Sequence, residues 1–180
     1  MNTSRTKASV LYGSIGAGFL LLKFAYAGAT STDLLWLLGP TNALVGGALG
    51  SGSFFDPAQG FVHSDLQFTI DKSCSGFNFW LVCTGLLLAI GGRYAGSGKA
   101  LGGGWLLSLP VLGYLLTVLV NASRILSAVA LQRLLPGLGQ RYAWAHQAEG
   151  VLVYLFFLIL IYGGFRLLCS RYLSSYAEPA

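Results

Sequence analysis

The feature that most constrains this chain is a series of long apolar runs with few charges inside them. The hydrocarbon core of a bilayer is about 30 Å thick and takes about 20 helical residues. Four stretches approach or exceed that length, at residues 8–29, 75–92, 100–121 and 145–168. Lipid offers the backbone no hydrogen-bond partners, so such runs cross as helices. The sequence therefore predicts an all-α polytopic membrane protein, with residues 1–180 forming a single membrane-embedded domain.

The composition excludes an ordinary soluble domain and argues against nucleic acid as a partner. Hydrophobic residues make up 54% of the 180 and charged residues only 9%, against about 25% charged in soluble domains. The net charge is +5, but the basic residues stand at the ends of apolar runs, which is typical of membrane topology. Arg5 and Lys7 precede an apolar run as in a signal peptide, yet Val10 to Ala29 is longer than a signal core. We therefore expect a retained first span, with the lipid bilayer as partner.

The stretch from Leu34 to Gly50 has two interpretations. It contains Pro40 and four glycines and is barely long enough to span, so it is either a fifth span or an interfacial or re-entrant helix. The two interpretations place the following polar stretch on opposite sides of the membrane. Basic residues beside the short turn at 93–99 favour the non-spanning interpretation under the positive-inside rule. The face that carries Cys74 is then extracytoplasmic.

Residues 51–73 form the most polar stretch of the chain. Gly60 to Asp71 alternates apolar and polar residues on either side of a Ser64-Asp65 turn, which predicts a small extracytoplasmic β-hairpin leading into Cys74. Alternation also favours surface exposure of His63. Further along, Pro110 predicts a kink in the third span, and residues 121–135 are predicted to continue as an amphipathic helix.

Three chemically capable residues stand at corresponding ends of three apolar runs. Consecutive spans alternate in direction, so the ends that lie one membrane thickness from Arg93, Lys99 and Arg166 share one face. The residues at or within one turn of those ends are Cys74, Asn121 with Arg124, and His146. The sequence thus predicts that a thiol, a guanidinium and an imidazole share one face of the membrane.

This combination is suited to acyl transfer. A thiol at a helix start meets the positive end of the helix dipole, which favours the thiolate. The thiolate of Cys74 would attack a carbonyl, His146 would pass the proton to the leaving amine, and Arg124 would stabilise the oxyanion. Three cysteines are too few for a disulfide framework. Cys83 lies about 13 Å deeper in the same helix and Cys169 at the opposite face, so we expect Cys74 to be a free thiol.

Several neighbours are candidates for supporting roles. Glu149 follows His146 by three residues, so it would orient the imidazole or serve as a plain interfacial acid. Asn121 would cap a helix break or join the site, Ser75 would support the nucleophile, and His63 is a competing base. The His and Cys residues show no ligand spacing and the glycines no phosphate-loop pattern. We predict neither a metal nor a cofactor.

Each of these residues also has a plainer interpretation. The cysteine would be packing in a helix junction, the arginine a snorkelling anchor, and the histidine an ordinary interfacial residue. Together these interpretations describe a small non-enzymatic membrane scaffold or assembly partner, and the glycines of the first span suit close helix packing in either case. A redox or lipid-modifying enzyme is a third alternative, but it would need a second exposed cysteine or a metal constellation.

The motifs resemble those of the exosortase/archaeosortase family. The resemblance covers roughly Leu34 to Tyr162 and is closest to the compact exosortase K branch. It is carried by the following stretches: Cys74-Ser75-Gly76 entering one run, Asn121-Ala122-Ser123-Arg124-Ile125 closing another, His146-Gln147-Ala148-Glu149-Gly150-Val151-Leu152-Val153-Tyr154 opening the last, and Leu37-Leu38-Gly39-Pro40-Thr41.

The resemblance implies a membrane cysteine protease and transpeptidase of the bacterial cytoplasmic membrane. Cys74 would be the nucleophile, His146 the general acid and base, and Arg124 the transition-state stabiliser. The implied substrate is a membrane-tethered protein with a C-terminal sorting signal of the PEP-CTERM kind, cleaved at the extracytoplasmic face and passed to an unidentified acyl acceptor. This chain is shorter than the eight-span members, so the extra spans that some relatives use for docking are missing.

Overall fold

The computed structural model describes residues 3–95, 103–135 and 143–173, and these residues are mostly helical. A 3₁₀ turn at Lys72–Cys74 precedes α3, a second at Gly103–Ser108 precedes α4, and a π turn at Cys169–Leu173 follows α5. The α-helices of the described residues are α1 (Thr3–Gly28), α2 (Leu35–Leu49), α3 (Phe77–Ala95), α4 (Leu109–Leu134) and α5 (Ala143–Leu168).

Three helical segments in the described part of the chain are long and apolar enough to cross a membrane. They are Lys72–Tyr94, Gly104–Leu134 and Ala148–Arg171, and they coincide with the second, third and fourth predicted spans. The chain is therefore a helical membrane protein. The predicted first span does form a helix, α1, but it is not among the three.

The third predicted span and the amphipathic segment after it are one continuous helix. α4 contains 26 residues from Leu109 to Leu134, and Asn121 lies in its interior. Pro110 is the second residue of α4 and lies where the span changes from the 3₁₀ turn to the α-helix. A proline in the first turn lacks only an N–H group that has no acceptor within the helix, so it suits the start of an α-helix. A kink of the span at this position stays a prediction.

The ambiguous segment forms α2, a helix of 15 residues. At 1.5 Å per residue it is about 22 Å long, which is shorter than the ~30 Å bilayer core. It ends at Gly50, whose left-handed backbone (φ +64°) lets its N–H group donate to the carbonyl of Gly46. The length of α2 agrees with an interfacial or re-entrant helix.

The polar stretch forms a three-stranded antiparallel sheet with the order β1-β2-β3. The strands are β1 (Phe54–Asp56), β2 (Gly60–His63) and β3 (Phe68–Ile70). Strands β2 and β3 are the predicted hairpin, with Phe61 opposite Ile70 and His63 opposite Phe68. Strand β1 was not predicted, because three residues are too few to show an alternating pattern.

The chain divides into two compact units. One contains α1, α3 from Asn78 onward, α4 as far as Leu115, and α5 from Leu158 onward. The other contains α2, the sheet, the turn at Lys72–Cys74, the second half of α4 and the first half of α5. Its ranges are Gly28–Phe77 and Leu116–Phe157. All of the candidate site residues belong to this second unit.

Candidate functional site

Cys74 is the last residue of a short 3₁₀ turn that Asp71 caps. The Asp71 carboxylate accepts hydrogen bonds from the backbone N–H groups of Ser73 (2.9 Å) and Cys74 (3.3 Å). The Asp71 carbonyl accepts a second bond from the Cys74 N–H group, at 2.9 Å. The backbone of Cys74 is thus fixed on its N-terminal side, while its side chain is half-buried.

Cys74 does not occupy the helix start that the sequence predicted. Helix α3 begins at Phe77, three residues after Cys74, because Ser75 and Gly76 form a turn between them. The field of a helix dipole falls off within about one turn of the terminus. The thiol is therefore outside the first turn of α3, and its closest charged neighbour comes instead from α4.

That neighbour is Arg124. Its Nη1 atom donates to Cys74 Sγ across 3.8 Å, although the two residues are 50 positions apart in the chain. The contact places a permanent cation beside the sulfur. The structure therefore brings together the predicted nucleophile and the predicted oxyanion stabiliser.

The guanidinium of Arg124 is confined by α5. A Cβ atom built at Gly150 would lie 2.7 Å from Arg124 Nε, so the side chain fits here only because position 150 has none. On another side, the ring of Tyr154 lies 5.8 Å from Arg124 Cζ, within cation–π range. Arg124 Nε is buried and has no hydrogen-bond partner within the described residues. One N–H group of the guanidinium, at Nε, therefore makes no hydrogen bond within the described residues.

Asn121 joins the site and does not cap a helix break. It is completely buried, one turn before Arg124 on α4. Its Nδ2 atom donates to the backbone carbonyl of Cys74 at 2.5 Å, and its Oδ1 atom accepts from the hydroxyl of Tyr154 at 2.7 Å. The amide therefore connects the cysteine turn with α5.

Gly76 makes the contact between the cysteine turn and Asn121 possible. Its backbone is left-handed (φ +70°), a conformation that L-residues adopt at a cost. An added Cβ atom would also lie 2.9 Å from Asn121 Cγ. Ser75 is buried beside it, and its hydroxyl accepts a 3.4 Å hydrogen bond from the Phe77 N–H group. Ser75 thus shapes the turn, and the described contacts do not connect its hydroxyl with the thiol.

Glu149 is anchored to α4 through one carboxylate oxygen. Its Oε1 atom accepts a short hydrogen bond from the hydroxyl of Ser127. Its Oε2 atom is buried without a hydrogen-bond partner in the part of the chain that the structure describes. His146 lies one turn earlier in α5, but its side chain lies outside the described set. An interaction between Glu149 and the imidazole of His146 therefore stays a prediction.

His63 is not the exposed residue that its strand pattern predicted. It is completely buried and stacks on Phe68 at 4.6 Å between ring centroids. Its Nε2 atom lies 2.8 Å from Asn42 Oδ1 on α2, and its Nδ1 atom lies 2.7 Å from Ser51 Oγ. The sheet folds back on α2, so an alternating strand here has no solvent-exposed side at this position. All of the contacts of His63 are with α2, the following loop and the sheet.

Burial lowers the pKa of His63, and the carboxylate of Asp65 opposes the shift. A lowered pKa means that the folded protein holds His63 neutral at a pH where the unfolded chain, with a pKa of about 6.5, binds a proton. Stability is therefore expected to be constant above about pH 7.5 and to fall as the pH drops through about 6.5. Thermal unfolding of the detergent-solubilised protein between pH 8 and pH 5 measures this fall.

Two variants separate His63 from the other histidine. His63→Gln is expected to flatten the pH dependence in this window, whereas His146→Gln retains it. Asp65→Asn is expected to increase the loss of stability between pH 7.5 and pH 5, because the carboxylate is the group that raises the pKa of His63. A parent protein whose unfolding temperature does not change between pH 7.5 and pH 5 would contradict the assignment.

Tyr154 is the site residue for which the sequence predicted no role. Its position did carry a signal: His146, Gly150 and Tyr154 are spaced by four, which places them along one side of α5. No local pattern connects that side with Asn121. All three cysteines are free. Among the residues that the structure describes, no group of three or more His, Cys, Asp or Glu side chains is arranged to hold a metal ion.

The site thus consists of a half-buried thiol, a guanidinium in contact with it, and a buried amide that holds the cysteine backbone. Such a set can hold a thiol in place and stabilise negative charge that develops on a carbonyl oxygen beside it. The chain was compared with protein-family models, curated proteins and solved structures, and nothing matches in any of the three.

Proposed function

We propose that the protein is a membrane cysteine peptidase and transpeptidase, similar to exosortases, that acts on a membrane-tethered protein with a C-terminal sorting signal. The observation that carries the proposal is the 3.8 Å contact between Arg124 Nη1 and Cys74 Sγ. A cysteine that serves only as packing needs no cation beside its sulfur. A snorkelling arginine would extend toward the interface, whereas this guanidinium packs against Tyr154 and Gly150.

The proposed reaction proceeds through a thioester. The thiolate of Cys74 attacks the carbonyl carbon of the scissile peptide bond, and the carbonyl oxygen becomes an oxyanion. The C–N bond then breaks, a thioester forms, and the leaving amine takes a proton from His146. An amine acceptor or water attacks the thioester and regenerates the thiol. The guanidinium of Arg124, whose Nη1 atom contacts Cys74 Sγ, is the donor proposed for the oxyanion.

The proposed topology has four spans, with α1 as the first and α2 in the interface. The site then lies at the extracytoplasmic face of the bacterial cytoplasmic membrane. The length of α2 supports this topology, because about 22 Å of helix does not cross a core of about 30 Å. The open three-stranded sheet immediately before Cys74 supports a site at the end of a span and outside the hydrocarbon core, since open sheet edges do not occur in lipid.

Trapping the thioester tests the proposal. Membranes from cells that make the protein are quenched in acid, and the peptide that contains Cys74 is analysed by mass spectrometry. We expect a fraction of Cys74 to carry a peptidyl group, which neutral hydroxylamine removes. The Cys83→Ala variant, which changes a buried thiol, is the matched control and is expected to retain the adduct. Cys74→Ser is expected to abolish the hydroxylamine-labile adduct.

The trapping experiment also addresses the scaffold alternative. A scaffold whose cysteine only packs would show unmodified Cys74 in every sample, including an Arg124→Lys variant in which turnover is slowed. An adduct that persists after neutral hydroxylamine would be an ordinary thiol modification and would contradict a thioester intermediate.

A further inference from the structure

One tyrosine on α5 contacts both of the side chains that hold Cys74. Its hydroxyl donates to Asn121 Oδ1 at 2.7 Å, and its ring faces Arg124 at 5.8 Å from Cζ. Asn121 binds the carbonyl of Cys74, and Arg124 binds its sulfur. The four residues therefore form a closed ring of contacts. The ring runs from Cys74 to Asn121, Tyr154 and Arg124 and returns to the sulfur of Cys74.

The hydroxyl of Tyr154 determines which way the amide of Asn121 faces. An amide has an acceptor end and a donor end, and only the donor end can bind a carbonyl. While the tyrosine hydroxyl occupies Oδ1, the NH₂ group must face the carbonyl of Cys74. Because Asn121 is completely buried, bulk water is not present to replace a lost donor. Without the hydroxyl, the amide loses the contact that fixes its rotation.

The ring of Tyr154 acts on Arg124 in a separate way. The guanidinium lies between that ring and the backbone at Gly150, where an added Cβ atom would be 2.7 Å from Nε. A guanidinium with little room to turn keeps its Nη1 atom on the sulfur. The hydroxyl of Tyr154 thus acts, through Asn121, on the backbone of Cys74. The ring acts, through Arg124, on its sulfur.

We propose that Tyr154 is a positioning residue, which through Asn121 sets the placement of Cys74 against Arg124 and so controls how readily the thiol reacts. The contacts through which it acts are those with Asn121 and Arg124. The inference rests on the proposed function for its meaning in catalysis, but the geometry it concerns can be measured without a substrate.

Alkylation of Cys74 by iodoacetamide tests the inference. The protein carries Cys83→Ala and Cys169→Ala, is purified in detergent, and is alkylated between pH 6 and pH 10. Tyr154→Phe keeps the ring and removes the hydroxyl. We expect it to slow alkylation at pH 7 about 3- to 10-fold, comparable to the loss of one hydrogen bond, and to displace the rate profile toward higher pH. Tyr162→Phe removes an exposed hydroxyl from the same helix and is expected to leave the profile unchanged.

A double-variant comparison identifies the route of the effect. Arg124→Gln is expected to displace the profile further than Tyr154→Phe does. If the tyrosine acts by placing the thiol against the cation, Tyr154→Phe has no additional effect once Arg124→Gln is present. The other charged residues of the cysteine turn, Asp71 and Lys72, are unchanged in every variant.

A purely structural role would give a different result. Tyr154→Phe would then lower the unfolding temperature without moving the pH profile, and that outcome would overturn the inference. Equal slowing in the parent and in the Arg124→Gln background would overturn it as well. If Tyr154→Phe fails to fold, the Tyr154→Phe/Asn121→Leu protein removes both members of the buried polar pair at similar shape. It is expected to show the same displacement of the profile.

The two proposals fail separately. A thioester trapped on Cys74 together with an unchanged Tyr154→Phe profile would leave the proposed function standing and refute the positioning role. A displaced profile without a trapped thioester would support the positioning of the thiol and refute the peptidase.

Discussion

Cys74→Ala is expected to abolish processing of the substrate protein while the variant remains inserted in the membrane. In the proposed mechanism the sulfur forms the covalent intermediate, and the other two cysteines, Cys83 and Cys169, are both buried. Removing the nucleophile of a covalent mechanism leaves only residual catalysis, so we expect a loss on the order of 10³-fold or more.

The measurement compares membrane proteins in cells that contain the parent or the variant. With Cys74→Ala, proteins that bear a C-terminal sorting signal are expected to accumulate with the signal attached. Protease added outside intact spheroplasts is expected to degrade the exposed part of these precursors, as the extracytoplasmic location requires. Cys83→Ala at the same expression level is the control and is expected to process normally. Normal processing by a well-expressed Cys74→Ala variant would refute the peptidase proposal.

Gly76→Ala is expected to disrupt the site by distorting its backbone. The backbone at position 76 is left-handed (φ +70°), and the new Cβ atom would lie 2.9 Å from Asn121 Cγ. The backbone conformation alone costs about 1–2 kcal/mol for an L-residue. Relieving the overlap requires moving either the cysteine turn or Asn121, which lengthens the 2.5 Å hydrogen bond from Asn121 to the Cys74 carbonyl. We expect about 2 kcal/mol or more of destabilisation, and about a 10²-fold loss of processing from the displaced thiol.

The thermal unfolding temperature and the iodoacetamide rate of Cys74 measure these effects. Gly47→Ala is the matched control, because position 47 lies inside α2 and has open space around an added Cβ atom. Alanine there is expected to be neutral or stabilising by about 0.5–1 kcal/mol. In the Asn121→Ser background part of the overlap is gone, so Gly76→Ala should cost less. A Gly76→Ala protein as stable and as reactive as the parent would contradict the assigned geometry of the turn.

The amino-acid sequence alone determined the class of protein and the position of most helices. Apolar runs of about 20 residues permit few structures other than membrane helices, because the requirement to satisfy backbone hydrogen bonds in lipid acts on each segment by itself. Three of the four predicted spans are long, apolar helices in the structure. The hairpin of β2 and β3 was also predictable, since its alternation and its turn are both local.

The prediction for His63 depended on a local pattern and failed because a distant contact decides. The alternation around His63 suggested an exposed side chain, whereas α2 covers that side of the sheet and supplies Asn42 as a partner. Asn42 lies 21 positions away, outside the window in which the pattern was read.

For the site, the sequence predicted that Cys74, Arg124 and His146 lie on the same face of the membrane, with Asn121 beside Arg124, because each apolar run has to match the thickness of the bilayer. It did not determine which side chains touch. The 3.8 Å contact between Arg124 and Cys74 joins residues 50 positions apart, and the Tyr154 hydroxyl reaches Asn121 across 33 positions. Such contacts depend on helix rotation and on the close approach that Gly76 and Gly150 permit. Only the packed tertiary structure fixes these, because rotating a helix changes its neighbours without changing its length or its apolar character.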